Sequence, residues 1–324
     1  MRMRPEYILV VGHGRSGTNF LLRLLNLSPI THCRNEPNEL SSSPFRKLPC
    51  GWFKGPEHAV MDSLWDDAIR WTAERIGERD PRASLPKQHL YEIARRFGGE
   101  RLTWGPRLRG LKTRLIPSAR SPERLLPRWL GRRTVLREAV PVLKLLQVPG
   151  WAAWILAERP SVPMLHIVRH PGGFLNSWRN RYLAGRDPES VRIENIHRLE
   201  RLCEVDTVWR RRLGSLEEMA VEESELWYWR YATETVHEAG EGSSRYHMIH
   251  YEELASNTVD VVHRVYGLCG LPWDSRIEDE INRGTANSRT IVDTWRKHLS
   301  HESLALIDRI LEGSPTQHWW NART

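Results

Sequence analysis

The sequence predicts an α/β protein with a central parallel sheet flanked by helices, and three observations carry that expectation. Tyr7-Ile8-Leu9-Val10-Val11 is a continuous apolar run rich in β-formers, as a strand covered on both faces requires. It runs into a glycine loop, Gly12–Gly17, and then a helix-forming stretch, Thr18–Leu25, that stops before Ser28-Pro29. Three later short runs, Gly110–Leu115, Met164–Val168 and Tyr246–His250, are separated by enough chain for crossover helices.

The intervening segments fill in the layers. Residues 56–100 and 117–160 are rich in Trp, Arg and Pro with patchy helical periodicity, and are expected as helical insertions that build a substrate-side wall. Within the second, the apolar stretch 139–157 reads as buried or interfacial helix and turn, because Pro141, Lys144, Gln147, Pro149 and Gly150 interrupt it. Glu217–Glu225 carries five glutamates and opens a solvated helix whose later part, Leu226–His237, packs through Trp227, Trp229 and Tyr231. No internal repeat or low-complexity linker divides the chain, so residues 1–324 are expected to form one domain.

With 40% hydrophobic and 27% charged residues the chain has the make-up of a soluble globular protein. Its net charge of +8 suits a nucleic acid, a membrane surface or a small anionic ligand. Residues 101–140 hold eleven basic side chains against Glu123 and Glu138, a surplus large enough to account for the whole excess. Four widely spaced cysteines form no CxxC pair, so neither a zinc knuckle nor a disulfide framework is expected, and a reducing, cytoplasmic setting fits best. The apolar run near the N-terminus is too short for a signal-peptide core, and no transmembrane segment is expected. Most of the fifteen tryptophans are assigned to the core, with stacking on a flat acceptor ring as the alternative.

Gly12-His13-Gly14-Arg15-Ser16-Gly17-Thr18-Asn19 almost fits GxxxxGK[ST], with Thr18 where the lysine belongs. Its glycines still let backbone N–H groups converge on an anion at a helix start, where the helix dipole also favours negative charge. The cation has moved to Arg15, and no apolar run ends in a magnesium-holding Asp. A metal-independent transfer from a phosphate-containing donor follows as the expectation. Gly12, Gly14 and Gly17 also match a dinucleotide GxGxxG, with Glu36 downstream, but the polar Arg15-Ser16 pair and the lack of an evident strand leading into Glu36 argue against it.

The GRSGTN loop, the amphipathic helix after it and CRNEPNEL resemble the 5′-phosphosulfate loop of sulfotransferases that use 3′-phosphoadenosine 5′-phosphosulfate (PAPS). The likeness is nearer to the carbohydrate, protein-tyrosine and bacterial branches than to the cytosolic one. That family's second signature, an Arg ending a strand with a Ser eight residues later, is present as Arg169 and Ser177. His250-Tyr251-Glu252-Glu253-Leu254 resembles its YEDL segment. The cytosolic branch's KTH is Lys112-Thr113-Arg114 here, without the histidine.

The resemblance implies a P-loop NTPase-like sulfotransferase fold with helical insertions, PAPS as donor and no metal. It implies donor contacts from Arg15, Ser16, Gly17, Thr18, Asn19, Phe20, Arg169 and Ser177, with Glu36 as the base that takes the acceptor proton. Arg15 would hold the phosphate oxygens as charge develops, and Lys112 would be a second cation for the sulfuryl oxygens. His13 and His170, beside the two motifs, stand as alternative bases. The acceptor would be a hydroxyl of a sugar, lipid-linked or secondary-metabolite compound, not a nucleic acid. Two alternatives stay open: a P-loop kinase, and a nucleic-acid-binding protein using the basic 101–140 segment.

Overall fold

The structure, a computed structural model, describes residues 5–74, 139–285, 288, 290 and 292–321. Five parallel strands form the sheet: β1 (Ile8–Gly12), β2 (Thr31–Asn35), β3 (Val140–Leu146), β4 (Met164–Val168) and β5 (Tyr246–His250), in the order β2-β3-β1-β4-β5. β1 is central, its Ile8 level with Val142 of β3 and its Leu9 level with Met164 of β4.

Every strand residue from Ile8 to Val11 is buried, and alternation divides them between two cores. Ile8 and Val10 pack with Leu21, Leu22 and Leu25 of α1 (Thr18–Leu25) and with Val261, Val262 and Val265 of a later helix (Thr258–Leu268). Leu9 and Val11 face the opposite layer, which includes Trp65 of α2 (Asp62–Glu74) and Trp151 and Ile155 of α3 (Pro149–Glu158). α3 is apolar all round, as a helix buried on every side must be. α4 (Pro171–Trp178) follows β4, and α5 (Pro188–Val205), α6 (Thr207–Leu213) and the twenty-residue α7 (Val221–Gly240) build an outer wall leading to β5.

β1, β4 and β5 form where the apolar runs predict them. Two strands differ from the expectation. Val140–Leu146 is an interior strand and not part of a helical insertion, although the helix expected beyond it is present as α3. Pro141 sits second in β3, near its start, where a missing N–H costs the ladder least. β2 was hidden by its polar residues: Thr31, His32, Cys33 and Arg34 are all buried. It leads directly into Glu36, removing one objection to a dinucleotide loop. Topology supplies a better one, since β3 lies between β2 and β1, whereas the dinucleotide arrangement sets the strand with the ribose-binding acid beside the first.

Glu225 is 2% exposed, so the acidic start of α7 is not wholly solvated. The expected strand Gly110–Leu115, the insertion residues 75–100 and 117–138, and nearly all of the basic segment lie outside the described residues. Among the described residues no helix is long and apolar enough to cross a membrane.

Candidate active site

In open parallel sheets ligands bind beyond the carboxyl ends of the strands, where neighbouring connections diverge, and β1 is that point here. Its loop turns tightly, the Ser16 N–H donating to His13 O at 3.2 Å, before Gly17 (φ 91°) opens α1. A Cβ on Gly17 would fall 2.3 Å from the Tyr251 ring, and one on Gly12 2.5 Å from the Ile167 carbonyl oxygen. Space therefore demands a glycine at both positions, and at Gly17 the backbone angle does so too.

The two sequence motifs meet at this loop. Arg15 Nε donates to Ser177 Oγ at 3.0 Å, and Arg169 Nη1 donates to the Arg15 carbonyl at 3.1 Å. Arg169 lies with its guanidinium carbon 4.4 Å from the Tyr251 ring centroid, and burial pulls its pKa below the ordinary value against the charge-favouring pull of Tyr251 and Glu252. Among the described residues Arg169 Nε and the fully buried Ser16 Oγ have no hydrogen-bond partner. Unmet donors beside an exposed arginine are what an anionic ligand would satisfy. A cavity of about 470 Å³ opens beside His170, the residue after Arg169, with Trp295 and Arg296 in its wall.

The residue that sequence reasoning missed is Lys144. It is 0% exposed in the middle of β3, and its ammonium donates to Asn19 Oδ1 (2.7 Å), Asn35 Oδ1 (2.7 Å) and Glu36 Oε1 (2.5 Å). Those three acceptors match the three N–H groups of an ammonium. Burial lowers its pKa, and the hydrogen bond and charge of Glu36 oppose the shift. The pair is tied a second time, by the Glu36 N–H donating to the Lys144 carbonyl at 2.9 Å. Its signal in the sequence was a single lysine inside a seven-residue apolar strand, a burial that a lysine rarely accepts without a partner.

Glu36, at the end of β2, keeps a side chain 30% exposed, so it is reachable from outside while anchored from within. Asn19 turns its carbonyl oxygen to Lys144, Thr18 is buried, and Phe20 packs edge-on toward Tyr251 at 6.5 Å. Lys112 lies outside the described residues. The alternative bases have other tasks. His170 accepts from the Gly172 N–H at the start of α4 and stacks on Trp295, while His13 is 4% exposed with its pKa pulled down to about 4 by burial.

The non-glycine residues with positive φ among the described ones are Arg15 (72°), Glu36 (50°) and Gln147 (52°). They follow β1, β2 and β3 in turn, so among the described residues this unfavourable backbone is gathered at one place, as at sites where surrounding structure enforces a geometry.

A parallel sheet, a glycine loop on its central strand and arginines gathered at the mouth of β1 define an α/β protein with its candidate site at that mouth. The chain belongs to the sulfotransferase family, whose profile matches residues 5–275. It is similar to the sulfotransferase domain of the Synechococcus PCC 7002 olefin synthase (15% identity, covering 95% of each chain, TM-score 0.42). It is also similar to the sulfotransferase domain from the curacin biosynthetic pathway (13% identity, covering 97% of this chain and 98% of that one, TM-score 0.47). A third similar structure is mouse sulfotransferase SULT7A1 complexed with PAP (13% identity, covering 97% and 86%, TM-score 0.40). No curated protein matches the sequence.

Proposed function

We propose that the protein transfers a sulfuryl group from PAPS to the hydroxyl of a small-molecule or glycan acceptor, without a metal, in a cytoplasmic setting that the wide spacing of its four cysteines supports. The observation that carries this is the direct contact between the two motifs, Arg15 on Ser177 and Arg169 on Arg15. It gathers a 5′-phosphate loop and a second anion cation into one site. Arg15 and the loop amides are assigned to the 5′-phosphosulfate, and Arg169 to the 3′-phosphate, with the adjacent cavity giving room to the nucleoside.

In the transfer, Glu36 takes the proton of the acceptor hydroxyl as the acceptor oxygen bonds to sulfur. The bond from sulfur to the 5′-phosphate oxygen breaks, and its electron pair leaves with 3′,5′-diphosphoadenosine (PAP). Lys144 holds the Glu36 carboxylate in place and is a further cation of the site, besides Lys112, which lies outside the described residues. Asn19 and Asn35 orient that ammonium from the helix and strand on either side.

The test is single-turnover transfer of labelled sulfuryl from PAPS to a set of phenolic and sugar acceptors in EDTA. Wild-type protein is expected to transfer, and Glu36→Gln to lose about 10²–10⁴-fold in rate while PAP affinity is kept. Unchanged turnover in Glu36→Gln contradicts its role as the base.

A further inference from the structure

His13 occupies the second position of the phosphate loop, yet its ring points into the protein. It meets Phe174 of α4 edge-on at 4.8 Å and Tyr228 of α7 at 5.7 Å. Its Nδ1 lies 3.1 Å from the Gly14 carbonyl oxygen, and its Nε2 lies 3.1 Å from Gln147 Nε2. A carbonyl oxygen only accepts, so Nδ1 carries the proton, and the Nε2 lone pair then accepts from the Gln147 amide. Behind Nε2, at 3.6 Å, stands the buried carboxylate of Glu225, which Arg198 holds in an ion pair at 2.5 Å while lying 4.0 Å from the Tyr228 ring. That carboxylate is already matched by an arginine, so it does not need an imidazolium.

The consequence reaches the anion. Across a trans peptide the C=O of one residue and the N–H of the next point in opposite directions, and the described chain has no cis bonds. With the Gly14 carbonyl drawn onto a buried ring, the Arg15 N–H is turned away from the core, and among the described residues nothing accepts from it. The peptide leads into Arg15 at φ 72°, a conformation an arginine adopts only when its surroundings enforce it.

We propose that His13 is a positioning residue of the phosphate loop: its Nδ1–H pins the Gly14 carbonyl inward, presenting the Arg15 N–H outward to the donor's 5′-phosphate, while Gln147 fixes the tautomer. This rests on the loop being the donor site. Glu225 and Arg198 are the outer support of the same ring, linking α7 and α5 to the loop.

Asparagine places an N–H close to the position of Nδ1, whereas glutamine places one near Nε2, so the two substitutions separate pinning from mere filling. Calorimetric titration with PAP is expected to leave His13→Asn within about threefold of wild type, and to weaken His13→Gln by about tenfold or more, with equal melting temperatures. Equal affinities in the two variants overturn the role. A wild type that binds no PAP overturns the donor reading and this role with it. Independently of any variant, the imidazole ¹⁵N shifts of wild-type His13 should show protonated Nδ1 and bare Nε2 at pH 7, and the opposite tautomer overturns the proposal.

Discussion

Lys144 and Glu36 show how a site residue can be hidden or plain according to its neighbours. Glu36 was legible because it sits in CRNEPNEL, just after a recognisable loop and helix. Lys144 was not, because inside VPVLKLL it reads as an interruption, and only the sheet places it between β2 and β1 with Asn19, Asn35 and Glu36 around its ammonium. Arg15, Arg169 and Ser177 could be named from the sequence, but their contacts with one another depend on the β1–β4 pairing and were not readable from either motif alone. Lys144→Met keeps most of the apolar volume and removes the charge, leaving two amide oxygens and a carboxylate without their donor. The expected outcome is a fall of about 10²–10³-fold in sulfuryl transfer, with PAP affinity within a few-fold of wild type. Steady-state rates and calorimetry on the same variant check it, and an unaltered rate removes Lys144 from the reaction.

At the scale of elements, the expected strands that fall among the described residues, β1, β4 and β5, are present, while β2 and β3, which carry polar residues at buried positions, were not foreseen. β2 carries Arg34 and His32 at buried positions and β3 carries Lys144, so polar residues interrupt the apolar pattern by which a buried strand is read, and at Lys144 the interruption serves the site. α3 could be foreseen because nothing in PGWAAWILAE except its last residue is charged. The loop between β1 and α1 depends on two close approaches, and Gly12→Ala tests the first. The added methyl meets the backbone oxygen of Ile167, which can move only if β4 moves. Stability should fall by about 2 kcal/mol, read as a lower urea midpoint with unchanged slope, and a variant as stable as wild type contradicts the packing described.

The molecule as a whole joins this site to a core holding several neutral histidines. Burial lowers the pKa of His13 to about 4 and of His166 to about 3, with Glu225 opposing the shift at His13 and the neighbouring histidines reinforcing it at His166. Both values lie below the unfolded 6.5, so the unfolded chain takes up protons first as pH drops. The stability these two neutral side chains leave intact is fully present above pH 6.5 and is lost as pH falls from there through about 4 for His13 and about 3 for His166. By pH 5 each costs about 2 kcal/mol, so urea midpoints at pH 7 and pH 5 should differ clearly, and equal midpoints contradict the burial assigned to them.

The net charge is a whole-molecule quantity that named no partner. The cations placed at the site, Arg15, Lys144 and Arg169, lie outside the segment that carries the excess charge. What Arg15 and Arg169 are expected to recognise is a nucleotide with phosphate on both sides of its ribose. Titration of wild type and Arg169→Ala with PAP and with adenosine 5′-phosphate tests that directly. Wild type should prefer PAP by at least about tenfold, and Arg169→Ala should lose most of that preference. Equal binding of the two nucleotides by wild type, or turnover of magnesium-ATP in their place, would contradict the account.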